Sequence, residues 1–401
     1  MSARDDIRRL IDQYADFDPD RLHDVSQGLP LAVPSFGAAE LGEAMEALLS
    51  GWVTMGKRVA AFESQWAQAV GCSEAIAVNS GSSALLVMLT ALIAEGHLSR
   101  GDEVLVPAVG WSTSLFSVVQ AGLNAVIVDI DPDSLCIEGV RDRPALALHL
   151  LGCPSRVSAP LIVEDACGAH GATVGDRPVG SLGIAAAFSF FFSHHITTGE
   201  GGAVTTSDPA LADAARSIRA HGWVRERTDA AAQARSRPDI DPRFLFITPG
   251  YNLRMTDLAG AFGMHQVGRL EGFVQRRRAN HADWCARVDA LGLPLRTFPE
   301  LPGTRHAAFA FPLLLSADSP LSRTELSARL EAAGIATRPI SGSNLARQPA
   351  FSQLPRVRIE GELPVADAVH ERGLFVGQSH AFGPAHGEFL AASLSAAFAA
   401  S

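Results

Sequence analysis

Between Glu74 and Asp208, short apolar segments alternate with helical ones, and this pattern restricts the fold more than any other feature of the chain. EAIAVN (74–79), DEVLVPA (102–108), NAVIVDI (124–130), ALALHLL (145–151), PLIVEDA (160–166), AAAFSFFF (185–192) and GGAVTTS (201–207) read as strands. They are apolar throughout rather than alternating, which points to a mainly parallel sheet covered on both faces. SSALLVMLTALIAEG (82–96) and Ser112–Ala121 read as helices between them. Trp223–Arg243 is polar and reads as a long loop, and Met255–Ala290 as a long helical region. A strand, a helix and a strand then follow in 304–316, 321–334 and 335–340. The expectation is an α/β protein. Residues 1–265 form a large domain with a mostly parallel seven-stranded sheet and an N-terminal helical arm, and 266–401 form a smaller α+β domain.

The formal charge of −10 leaves no basic surface for nucleic acid or an anionic membrane. A phosphate-bearing ligand must therefore be held by a local site. Cys72, Cys136, Cys153, Cys167 and Cys285 form no CxxC pair and no cluster, so neither a zinc nor an iron–sulfur site is expected. An odd, scattered set of cysteines suits a reducing cytoplasm. The N-terminal MSARDDIRRLIDQY reads as a charged helix rather than a signal peptide. Val104–Val128 is uncharged and long enough to cross a membrane. However, Pro107, Gly110, Gln120, Gly122 and Asn124 break it into strand, helix and strand, so it reads as buried core.

Three segments carry chemistry. Val78–Ala84 (VNSGSSA) joins a strand to a helix, where free N–H groups, Gly81 and the hydroxyls of Ser82 and Ser83 suit a phosphate. Taken alone, it reads more readily as a plain serine-rich helix cap. Leu161–Ala166 (LIVEDA) ends a strand in carboxylates at the edge where α/β proteins bind ligands. Asp165 there could keep a pyridine nitrogen protonated, bind a metal or cap a helix. Phe188–Gly202 (FSFFFSHHITTGEGG) takes a buried strand into paired histidines and a glycine-rich turn. A histidine in such a place is more often structural than catalytic. The pair is no metal site on its own, since neighbouring side chains diverge.

Taken together, these segments resemble the DegT/DnrJ/StrS family of sugar aminotransferases, which have the fold-type I architecture of pyridoxal phosphate-dependent transferases. The resemblance extends to GWVTMG (51–56), GDEVLVPAVGWST (101–113), VIVDIDPDSL (126–135), VEDACGAHG (163–171) and GYNLRMTD (250–257). It implies that Gly81 and Ser82 bind the cofactor phosphate with support from Ser189. Trp111 would stack on the pyridine ring and Asp165 pair with its nitrogen. Asn252 would reach the phosphate in a neighbouring subunit, with Arg254 near the substrate, giving a homodimer with shared active sites.

One departure decides the chemistry. Where the aminotransferases carry the lysine that tethers the coenzyme, this chain has His194, and its single lysine is Lys57. An imidazole forms no stable Schiff base but transfers protons near neutral pH. His194–Thr197 (HHIT), the NSGSS cradle, Trp111–Thr113 and the segments 337–351 and 363–380 resemble one branch of the family. That branch is the pyridoxamine phosphate (PMP)-dependent nucleotide-sugar 3-dehydratases, such as GDP-4-keto-6-deoxymannose 3-dehydratase. The iron–sulfur members of the branch have cysteines after the GEGG turn, whereas this chain has none between Gly202 and Trp284. Gly168 replaces the usual Gln or Asp, and the stretch between Leu151 and Pro160 is short.

The resemblance implies removal of the C3 hydroxyl from a nucleotide-linked 4-keto-6-deoxyhexose. PMP would be held without a covalent bond, His194 would act as acid and base, and L-glutamate would serve as amino donor. Arg338, Asn344 and His380 are candidate substrate contacts, or else solvated loop residues. A transaminase and a non-catalytic sugar-nucleotide binder are the competing readings.

Overall fold

The computed structural model describes residues 3–15 and 18–399. Its centre is an eight-stranded sheet. The first seven strands are β1 (Glu74–Val78), β2 (Glu103–Pro107), β3 (Asn124–Val128), β4 (Ala145–Leu148), β5 (Ile162–Asp165), β6 (Ala185–Ser189) and β7 (Gly202–Thr206). Each falls in one of the apolar runs. The eighth strand corrects the expected count of seven. It is β8 (Val357–Ile359), a short edge strand from the C-terminal part of the chain, which pairs in parallel with β3. The spatial order is β1-β7-β6-β5-β4-β2-β3-β8. Only β7 runs antiparallel to its neighbours among these pairings. The carboxyl ends of the other strands therefore share one edge of the sheet.

Helices cover both faces, as continuous apolar strands require. Helix α1 (Gly81–Ala94) is apolar nearly all round and lies in the main core cluster with β1, β2 and β3. Helix α2 (Ser112–Gln120) follows β2, so the 104–128 stretch is strand, helix and strand in the core. The long helical region divides into α3 (Asp257–Gln266) and α4 (Leu270–Ala290), with a 3₁₀ turn between them. A smaller antiparallel sheet of Leu295–Arg296, Ala310–Leu315, Gly373–Gly377 and Thr337–Pro339 packs on a separate apolar cluster that includes Trp284 and Phe311.

Two segments differ from the sequence reading. The polar stretch 223–243 contains a short helix, Ala230–Ser236. Strand β6 stops at Ser189, and Phe191 and Phe192 are exposed beyond it. Of the N-terminal helix, Ala3–Tyr14 is described, while Met1 and Ser2 lie outside the described residues. Among the described residues no helix is long and apolar enough to cross a membrane, and no group of His, Cys, Asp and Glu side chains could hold a metal.

Candidate active site

Strands β1, β2, β5 and β6 deliver their C-terminal residues to the same sheet edge, and the site is built there. After β1, Ser80 caps α1 by accepting a hydrogen bond from the Ser83 amide at 3.1 Å. The amides of Gly81 and Ser82, in the first turn, have no acceptor inside the helix. Ser82 is exposed, so its hydroxyl also faces outward. Gly81 is required by close packing. A Cβ on it would lie 2.6 Å from Ser189 Cβ and 2.9 Å from Cys167 Sγ. Gly202 on β7 is required for the same reason, since its Cβ would meet the Ser80 carbonyl oxygen at 2.3 Å. The cradle thus packs directly on Ser189 at the end of β6 and, through Gly202, on β7. Ser189 is buried beneath it.

The Glu164–Asp165 pair separates by the pleat, which sends successive side chains to opposite faces. Glu164 is buried and structural. Its carboxylate accepts from the amides of Gly180, Leu182 and Gly183, each at 2.8 Å, and lies 3.0 Å from His149 Nε2. Asp165 turns toward the site, where its Oδ2 accepts from Ser114 Oγ at 2.6 Å. The Cys167 amide donates to Oδ1 at 3.3 Å. Ser114 was not foreseen, because a serine in the first turn of a helix has no signature apart from a cap. It links the strand carrying Asp165 to α2, whose N-cap residue is Trp111. The Trp111 indole is 63% exposed.

The paired histidines also diverge. His195 is fully buried, and its Nε2 lies 2.8 Å from the Ala307 carbonyl oxygen, so it ties the turn to the C-terminal part of the chain. His194 is half-buried, with Nδ1 inside and unpartnered, which leaves Nε2 as the atom able to reach a ligand. Its ring lies 5.1 Å from Phe309 and 5.8 Å from His170. Burial, and secondarily the charge of Arg277, pushes His194 down to about 3. It is therefore a neutral imidazole across the physiological range.

Segment 252–254 runs beside the cradle. The Asn79 amide donates to the Leu253 carbonyl at 2.9 Å, and Val78 bridges to Arg254. Arg254 donates to Asn252 Oδ1 at 3.0 Å and stands 3.4 Å from His221 Nε2. His221 packs edge-on against Trp223, which stacks on Phe246 and lies under the Arg225 guanidinium at 4.1 Å. This cationic and aromatic group was missed because its members lie in a polar stretch without periodicity.

The candidate substrate contacts differ in setting. His380 is fully buried and stacked on Phe273 at 4.0 Å. Asn344 is also fully buried. It donates to Asp367 at 2.7 Å and accepts from the Ala346 amide at 3.0 Å, so it caps a 3₁₀ turn. Arg338 is exposed and donates to the Thr337 carbonyl.

The model of the DegT/DnrJ/EryC1/StrS aminotransferase family matches residues 34–143 and 156–394. The chain belongs to this family. The interval between the two matched stretches holds β4 and the turn after it. Among the family's curated proteins, the GDP-4-keto-6-deoxy-D-mannose 3-dehydratase of Yersinia pseudotuberculosis is 35% identical over 370 residues, covering 87% of this chain and 93% of that one. A solved His-to-Asn variant of GDP-4-keto-6-deoxymannose-3-dehydratase with bound GDP-perosamine superposes with a TM-score of 0.84 at 30% identity, covering 92% of this chain and 100% of that one. Another structure of an enzyme of that name, with a trapped PLP-glutamate geminal diamine, gives a TM-score of 0.81 at 29% identity over 92% of this chain and 100% of that one. The aminotransferase fold expected from the sequence is thus the fold of the chain.

Proposed function

We propose that this chain is a PMP-dependent dehydratase that removes the C3 hydroxyl of a nucleotide-linked 4-keto-6-deoxyhexose. One observation carries the reading. A neutral imidazole, His194, occupies the sequence position where the family tethers its coenzyme, in a chain that also keeps the VNSGSS turn, Asp165 and Trp111. The single lysine, Lys57, is exposed in the first turn of another helix, so it does not replace the tether.

The residues fit the coenzyme. Gly81 and Ser82 present amides to the phosphate over a surface that admits no Cβ, Ser189 supports them, and Trp111 offers a stacking face. Asp165, oriented by Ser114, would keep the pyridine nitrogen protonated. When bound, PMP would supply an amine for the 4-keto group and an electron sink. His194 accepts a proton at Nε2 and delivers one to the departing hydroxyl, a role commonly worth roughly 10²–10⁴-fold.

We further propose a homodimer with shared sites. Trp52, Val53, Phe244 and Phe246 are exposed. Asn252 and Arg254 follow the two phenylalanines in sequence, and the Asp257 amide just beyond them donates to the Val53 carbonyl at 3.2 Å. Arg338 is retained as a substrate contact on its exposure. L-Glutamate is the proposed amino donor, in line with the PLP-glutamate adduct of the relative.

The test is to incubate the protein with PMP, glutamate and GDP-, dTDP- and CDP-linked 4-keto-6-deoxyhexoses. A 3-deoxy product is expected. An amino sugar, or binding without turnover, would refute the reading in favour of a transaminase or a binder.

A further inference from the structure

The turn that carries His194 is closed in part by its own atoms. The Phe190 amide donates to the Gly201 carbonyl at 2.8 Å, the His194 amide to Phe191 at 2.9 Å and the Thr198 amide to Phe190 at 2.9 Å. The Thr197 hydroxyl donates to the Phe190 carbonyl at 3.0 Å and accepts from the Gly199 amide at 2.9 Å. The turn is also tied outward. His195 Nε2 meets the Ala307 carbonyl at 2.8 Å, and the buried Thr197 amide donates to Gln266 Oε1 at 3.1 Å.

Gln266 is the last residue of α3 and is fully buried. Besides the Thr197 amide, its Oε1 accepts from Ser35 Oγ at 3.0 Å. Its Nε2 donates to the Ser35 carbonyl at 2.6 Å and to Glu40 Oε1 at 2.8 Å. A carboxamide has two lone pairs and two N–H donors, so all of its positions are used. Turned over, it would set an N–H against the Thr197 N–H and its oxygen against two oxygens. Its partners therefore fix its orientation.

Those partners are held in turn. Ser35 is buried, and so is Glu40, which lies in the helix Ala38–Leu49. Glu40 Oε2 accepts from the Gly37 amide at 2.8 Å, and Arg269 stands 3.4 Å from Oε1. Phe36 packs edge-on against Phe262 of α3 at 5.3 Å. Helix α3 starts shortly after segment 252–254, which runs beside the cradle, and it ends at Gln266 against the His194 turn. One helix thus connects the cradle side of the site to the His194 side.

We propose that Gln266 is a positioning residue that locks the turn bearing His194 to α3 and to the Ser35–Glu40 segment. It acts through the Thr197 amide, three residues beyond His194, while His195 holds the same turn at Ala307. Without the carboxamide oxygen, the buried Thr197 N–H loses its acceptor, and the turn must shift to satisfy it. A displacement of about 1 Å in an acid–base group costs on the order of 10²-fold in rate.

This inference rests on His194 being the acid–base group, so its test reads His194 without substrate. In ¹⁵N-histidine-labelled protein, the His194 ring signals are assigned by their loss in His194→Asn. In Gln266→Met, which keeps the length of the side chain and removes its polar atoms, these signals should move or broaden. They should stay in place in Leu390→Ala, which opens a cavity in the core under the small sheet. With substrate, Gln266→Met should lower kcat by roughly 10-fold or more and leave KM and PMP affinity little changed. Should that variant not fold, hydrogen exchange in the native protein decides, the Thr197 amide being expected to exchange as slowly as that of Phe190. A freely exchanging Thr197 amide, His194 signals unmoved in Gln266→Met, or signals moved equally by Leu390→Ala would overturn the proposal. Product formation with unmoved signals sinks this inference alone. His194 signals that follow Gln266 in a protein that makes no 3-deoxy sugar support it while the functional reading fails.

Discussion

The adjacent histidines at the end of β6 take different roles because a tight turn sends neighbouring side chains apart. His195 faces inward to a carbonyl, and His194 keeps one nitrogen for the site. A base works when unprotonated, and kcat/KM reports the free enzyme. With His194 lowered to about 3 by burial and Arg277, kcat/KM should stay level from pH 8 to below 6.5 wherever circular dichroism shows folded protein. An acidic limb centred near 6.5 would contradict this. Ser114→Ala removes the donor to Asp165, a bond worth about 1 kcal/mol. It should lower kcat by roughly 5- to 10-fold with little change in KM. Position 194 was legible in the sequence because the motif around it is intact. Ser114, His170 and Arg277 were not, because their residue types carry no signal until the fold brings them together. The burial of His380 and Asn344 was not legible for the converse reason, since polar residues in aperiodic segments give no sign of being buried.

At the level of elements, the site depends on close packing of the cradle against β6 and β7. Gly81→Ala places a methyl within 2.6 Å of Ser189 Cβ, and overpacking of this kind costs about 1–3 kcal/mol. The cradle must shift, and the dissociation constant for PMP, read by fluorescence, should rise at least 10-fold while the far-ultraviolet spectrum is kept. Seven strands were legible because each is a continuous apolar run between turn signals. β8 was not, because a three-residue edge strand with Arg358 at its centre has no hydrophobic pattern. It is held instead by parallel pairing to β3 and by ion pairs of Arg358 and Arg143 with Glu103. The short helix at 230–236 was hidden for a similar reason, being exposed or half-exposed along its length.

Across the whole molecule, the buried histidines link stability to pH. Burial lowers His170, His195, His281 and His306 below the usual 6.5, and takes His194 and His380 to about 3. The unfolded chain then binds more protons than the folded one below 6.5. Stability is full above that value and is lost as the pH falls toward the folded values, by up to about 1.4 kcal/mol per pH unit for each differential proton. The urea midpoint should be level from pH 7.5 to 8.5 and drop clearly between 6.5 and 5, and equal midpoints at pH 5 and 8 would count against neutral burial. The proposed dimer belongs to this scale too. Trp52 is 59% exposed, and Trp52→Glu should convert a dimer to monomer by analytical ultracentrifugation with at least a 10-fold loss of turnover.

The rate of dehydration in His194→Asn, measured beside the native protein at saturating PMP with the nucleotide sugar it accepts, addresses the main claim most directly. A fall of roughly 10²–10⁴-fold with PMP binding intact is expected. A rate equal to that of the native protein would contradict the account.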